Sequence, residues 1–178
     1  MKKQMLTLGC ALLLGACGGQ DTRTPVALDN LVVPASAPWL QVEQKPLDVV
    51  VRGLDTPLVL APTPSLAAVL QAQLRQALQA SYITNLVIAC AGVEAQMRVD
   101  SDATPASVAL ELGLRCTVNA QGFVSVHDYR VQPSMPAPAD ADYRKALTAL
   151  LDTASKDVGA RLKADVLASE GNPQRTPH

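Results

Sequence analysis

The chain has 178 residues, with 15 basic and 16 acidic side chains, a length suited to one domain of ordinary size. Without residues 1–16 it loses Lys2 and Lys3, leaving 13 basic (15 less 2) against 16 acidic side chains. No basic surplus remains to neutralise a phosphate backbone, so no nucleic-acid partner is expected. Aromatic residues make up only 3% of the chain, too few for a base- or sugar-stacking surface.

In chain order, Lys2 and Lys3 form a positive n-region, and Met5 to Leu14 form an apolar run of about ten residues. That length matches a signal-peptide h-region and falls well short of the roughly 20 residues that span a bilayer. The next residues, Leu14-Gly15-Ala16-Cys17, resemble the bacterial lipobox. The resemblance implies cleavage before Cys17, a diacylglycerol on its thiol and a third acyl chain on its freed amine. Several chains anchor firmly where one is marginal, because each buried methylene contributes about 0.8 kcal/mol. The other reading is an ordinary signal peptide followed by an incidental cysteine. Gly18, and not aspartate, follows Cys17, which points to the periplasmic face of the outer membrane.

Residues 17–46 read as a lipidated, proline-rich tether, since Pro25, Pro34, Pro38 and Pro46 limit any helix or central strand. The short runs Leu31-Val32-Val33 and Trp39-Leu40 are candidates to dock on the folded body. Trp39 has two readings, a cover over its own domain or a partner-binding residue.

Residues 47–168 read as a single α+β domain. Val49-Val50-Val51 and Leu58-Val59-Leu60 are β-branched or apolar runs bounded by Pro46, Gly53 and Pro57, and read as two strands. Thr63-Pro64-Ser65 predicts a helix start with Thr63 as N-cap. Leu66, Val69, Leu70, Leu74 and Leu78 recur on one helical stripe to about Ser81, and Gln71, Gln73, Arg75 and Gln76 fill the other side. Leu86 to Val99 and Ser107 to Val118 read as a long strand pair, followed by the Asn119 to Gly122 turn and a third strand, Phe123 to Val131. Asp140 or Asp142 caps a second helix whose stripe runs from Tyr143 through Leu147, Leu150, Val158 and Leu162 to about Leu167. Residues 169–178 read as a disordered tail. The order β-β-α-β-β-β-α predicts a two-layer sandwich, an antiparallel meander sheet packed on two amphipathic helices.

Apart from the signal segment and Cys17, two cysteines remain, Cys90 and Cys116, an even pair for an oxidising compartment. On the strand from Leu86 the apolar residues change parity: Leu86, Ile88 and Cys90 are even, whereas Val93, Ala95, Met97 and Val99 are odd. A bulge at Ala91-Gly92 would keep both sets on one face. If paired positions sum to 207 beyond that bulge, they sum to 206 before it, and Cys90 faces Cys116. This register predicts a cross-strand disulfide; the alternative is two buried free thiols.

Chemistry is sparse. His127 and Asp128 are neighbours on a strand and point to opposite faces, so they make a poor pair; a triad would need Ser125 or another serine within hydrogen-bond distance. No metal-ligand spacing occurs, and Asp100/Asp102 and Asp140/Asp142 read as turn and cap residues. No enzyme activity and no cofactor or metal is therefore expected.

The element order and local motifs resemble the YajG-type family of small bacterial envelope lipoproteins. The likeness rests on Leu58 to Ser65 entering the first helix, the Asn119 to Gly122 turn before Phe123, and Tyr143 to Leu167 closing the domain. It implies location and architecture, and Cys17 is the one functional residue it carries across. Auxiliary lipoproteins of ABC-type lipid transport show a weaker likeness. The resulting expectation is a non-catalytic, membrane-anchored interaction or accessory module with an envelope protein partner. The alternative is a lipid or glycan carrier, or an auxiliary subunit of an ABC-type lipid or lipopolysaccharide transport system.

Overall fold

The computed structural model describes residues 23–32, 39–78 and 85–170. The expected signal segment, Cys17 and residues 171–178 of the expected tail lie outside the described residues.

The described residues form eight strands and two helices: β1 (Arg23–Ala27), β2 (Leu40–Val42), β3 (Val49–Arg52), β4 (Leu58–Thr63), α1 (Leu66–Leu78), β5 (Leu86–Asp100), β6 (Ser107–Ala120), β7 (Phe123–Val131), β8 (Ser134–Pro136) and α2 (Tyr143–Glu170). A 3-10 turn covers Asp29–Leu31. The class is α+β, with a large sheet and two helices.

The sheet runs β1-β4-β3-β5-β6-β7. Its centre is the pair β5 and β6, too long to be matched by one strand on each outer edge. On the far side of β5, β2 pairs with Ile88–Cys90 and β3 with Gln96–Arg98. On the far side of β6, β7 covers Leu112 to Ala120 and β8 covers Ser107 to Ala109. The expected antiparallel meander holds for β5, β6 and β7, but β1 on β4, and β2 and β3 on β5, are parallel. The sheet is therefore mixed. β3 is antiparallel to β4 and parallel to β5, so β4 and β5, the strands joined through α1, run in opposite directions on either side of β3.

The tether expectation for 17–46 is also corrected, because the sheet already includes β1 and β2. Pro25 is tolerated because β1 is the terminal strand, where a missing N–H costs little. Leu31 and Leu40 are buried in the common core, and Trp39 packs half-buried against it. The polar side of α1 holds this segment. Gln71 Oε1 accepts the Val42 N–H at 2.8 Å, Gln73 Nε2 donates to the Leu31 carbonyl at 2.6 Å, and Arg75 donates to the Leu40 carbonyl at 2.9 Å. Residues that periodicity assigns to solvent thus satisfy the backbone of a short strand.

Ser65, and not Thr63, caps α1: its Oγ accepts the Ala68 N–H at 3.2 Å. Thr63 is the last residue of β4, and its carbonyl accepts the Leu28 N–H at 2.7 Å. Asp142 stands directly before α2, and its carbonyl accepts the Ala146 N–H. Asp100 Oδ1 accepts the N–H groups of Asp102 and Ala103, closing the β5–β6 turn.

The β5–β6 register shifts between Ala91 and Glu94, where Gly92 has a φ of +63° that L side chains rarely adopt. Leu86, Ile88 and Cys90 before the shift and Met97 after it are all buried on one face. Cys90 lies opposite Cys116, and the two are disulfide-bonded. Beneath this face α1 and α2 touch at Gly159, where an added Cβ would stand 2.8 Å from the Ala77 Cβ.

Two stability changes follow from this packing. Replacing both Cys90 and Cys116 by alanine should cost about 3 kcal/mol in urea unfolding, given the loop between them. Gly159→Leu should cost about 2 kcal/mol or more by forcing α1 and α2 apart; an unchanged urea midpoint would show that the helix contact tolerates a side chain.

Candidate functional site

Alternation along β7 divides its side chains between two environments. Val124, Val126 and Asp128 are exposed on the open face, whereas Ser125 and His127 are half-buried and Tyr129 is buried toward α2. Asp128 bonds Arg115 Nε at 2.7 Å across the open face, and that guanidinium holds its carboxyl below the ordinary carboxylate range. His127 and Asp128 are accordingly not a pair.

On the helix side, Asp165 of α2 collects the polar groups of β7. Tyr129 Oη donates to Asp165 Oδ2 at 2.7 Å, and His127 Nδ1 lies 3.4 Å from the same oxygen. The other ring nitrogen, Nε2, is 2.9 Å from Ser125 Oγ. A cavity of about 200 Å³ opens beside them, lined in part by Phe123, Ala168 and Ser169. The structure therefore assembles serine, histidine and aspartate in the order used by nucleophilic triads.

The surroundings suit a clasp better than acyl transfer. Acyl transfer needs donors aimed at a developing oxyanion, yet the helix end that reaches this cavity is the C-terminus of α2, where backbone carbonyls disfavour negative charge. Asp165 Oδ2 is also shared with Tyr129. The cluster ties the terminal strand β7 to the last turns of α2. Ser125 and His127 are legible in the sequence, but Asp165 is not an obvious partner for them. A usable signal was its position between Leu162 and Val166, both fully buried: a carboxylate at the edge of an apolar stripe near a helix C-terminus calls for a donor.

Of the other candidate residues, Trp39 is half-buried against the core, and its carbonyl accepts the Ile88 N–H at 2.7 Å. Cys17 lies outside the described residues. Among the described residues no group of three or more histidine, cysteine, aspartate or glutamate side chains could hold a metal ion, and no helix is long and apolar enough to cross a membrane.

The Tyr129 cluster implies a pH dependence of stability. Burial, followed by the hydrogen bond to Asp165, pushes the phenol well above its ordinary value of about 10. The folded state thus keeps a proton that the unfolded chain releases, and this contribution is complete below pH ~10 and lost as the pH rises further. Urea midpoints measured from pH 8 to pH 11 should fall more steeply for the wild type than for Tyr129→Phe above about pH 10; parallel curves would show that the phenol is not protected.

No protein-family model and no curated protein matches the sequence. Among solved structures, the chain is similar to protein XCC0632 from Xanthomonas campestris, described by the family model DUF330, with a TM-score of 0.50 and 14% identity over 86% of each chain. That likeness is one of fold. A minor lipoprotein from Acinetobacter baumannii matches with a TM-score of 0.45 and 14% identity, over 61% of this chain and 87% of its own.

Proposed function

We propose that the chain is a non-catalytic, lipid-anchored envelope protein that acts as a tethered interaction module on the periplasmic face of the outer membrane. The observation that carries the interaction role is the state of β7. It ends the strand order, and Val124 and Val126 are 63% and 58% exposed beside its outer edge. Terminal strands are ordinarily protected by charge, proline or brevity. Residues 123–127 contain no proline, lysine, arginine or carboxylate. An extended apolar strand of another envelope protein is the partner this edge suits, since main-chain bonds supply affinity and alternate side chains supply specificity.

The anchor rests on the Leu14 to Cys17 motif and its flanking segments. The early start of the sheet then sets its reach. Only five residues separate Cys17 from Arg23, a span of at most ~22 Å over six steps of about 3.3–3.6 Å. The domain works close to its membrane. The Cys90–Cys116 bond suits the same oxidising compartment. A carrier of lipid or glycan fragments would need space between helices and sheet, and there Leu70, Leu74, Leu147 and Leu151 are fully buried in one core.

Cells fed an alkyne fatty acid should label the wild type and not Cys17→Ala, and the variant should leave the outer-membrane fraction for the periplasm. An unlabelled, freely soluble wild type would end the anchoring claim. A photo-crosslinker at position 124 or at Trp39 should trap a recurrent envelope protein in cells, and adducts with lipid alone would support the carrier instead.

A further inference from the structure

The open face of the sheet holds a second feature, independent of both the anchor and the β7 edge. Glu94 of β5, Gly113 of β6 and Arg130 of β7 pair in one row across three strands. On either side of this row the charges are matched. Arg115 bonds Asp128 at 2.7 Å; Glu111 takes a hydrogen bond from Gln96 and lies 3.6 Å from Arg98. Among the described residues, Glu94 has no hydrogen-bond or ion-pair partner, and the Arg130 side chain has none beyond a longer-range attraction to Asp128. The Cα atoms of β5 and β7 stand two strand spacings apart, about 10 Å, and between these two charges there is only glycine.

Gly113 stands opposite the end of the β5 register shift, yet neither its own conformation nor its packing demands glycine. Its φ is not positive, and a Cβ built on it would meet nothing closer than 4.0 Å, so the backbone and the packing both admit a side chain. At Gly53 and Gly159, by contrast, a built Cβ would stand 2.2 Å from the Val99 carbonyl oxygen and 2.8 Å from the Ala77 Cβ. Glycine inside a strand weakens it and often marks a bulge or the close approach of a ligand or another backbone; here the extra residue of the bulge is on β5, and Gly113 leaves open floor on β6. Two adjoining cavities, about 520 and 410 Å³, meet over this row, and both are lined by Glu94, Gly113 and Arg130.

We infer that the Glu94–Gly113–Arg130 row is a binding site for a compact zwitterion, a small molecule with an ammonium and an anionic group a few ångströms apart. The ammonium faces the Glu94 carboxylate, and the anionic group takes the Arg130 guanidinium, which offers a two-pronged donor to carboxylate or phosphate. Gly113 leaves the floor open for the atoms that join them. A simple cation or a simple anion is disfavoured, because each meets one like charge in a row whose formal charges cancel. Gln96 and Gln132 line the upper cavity and supply amides for uncharged polar atoms.

The test is an NMR titration of the full isotope-labelled chain with O-phosphoethanolamine and with diglycine, using ethanolamine and inorganic phosphate as half-ligands. Saturable amide shifts centred on Gly113, with a Kd on the order of 1 mM for at least one zwitterion and at least ~10-fold weaker binding of both half-ligands, are expected. Glu94→Gln and Arg130→Gln should each weaken binding by about tenfold or more, and Gly113→Leu should abolish it while the urea midpoint is kept or raised. Phosphatidylethanolamine bicelles in the same sample separate two sources of the chemistry: displacement of bound O-phosphoethanolamine marks a lipid headgroup as an occupant, and undiminished binding marks the free molecule. Absence of saturable shifts with both zwitterions, equal binding of a half-ligand, or unaltered binding by Gly113→Leu would overturn the assignment.

Discussion

The pairing of β5 with β6 governs the rest of the molecule. A strand of 15 residues presents one face to the helices along its whole length only if its alternation stays in phase with the core. The apolar residues of β5 do not stay in phase, and the shift at Gly92 absorbs the difference by using one extra residue. With that shift Cys90 reaches Cys116, and Met97 reaches Leu110, on the same buried face. Without it, one half of the strand would turn its apolar set to water.

From this pair the remaining architecture follows as a matter of covering edges and one face. The free edge of β5 is long enough for two short parallel strands, and that of β6 for β7 and β8. The two helices meet at the Gly159–Ala77 contact, which brings their backbones close. The N-terminal segment is held through Gln71, Gln73 and Arg75, so α1 has a second role as a bracket for a strand too short to persist alone.

The same geometry separates two kinds of polar chemistry. On the helix side of β7, His127 and Tyr129 converge on Asp165 and Ser125 bonds the His127 ring, so that half-buried groups satisfy one another and fasten the terminal strand. On the open side, charges alternate across the strands and mostly pair, except where Gly113 interrupts a row between Glu94 and Arg130. A single strand thus contributes to a clasp with one set of side chains and to an open ionic row with the other.

Much of the fold is legible from local pattern. The bounds of β7, the beginnings of β5, β6 and α2, and the bulge that joins the cysteines all follow from alternation, turn residues and a change of parity, because these act over a few neighbouring residues. The lipobox-like segment is likewise local. The parallel pairing of β1, β2 and β3 is not legible, since a strand of three to five residues carries little periodicity and its partner lies elsewhere in the chain. The proline spacing of residues 17–46 describes a tether on its own terms; only the edge of β4 and the bracket of α1 turn parts of it into strands. Asp165 meets His127 and Tyr129, and Glu94 faces Arg130 across Gly113, through register and helix placement alone. Those distances are set by how distant segments pack, and no spacing along the chain records them.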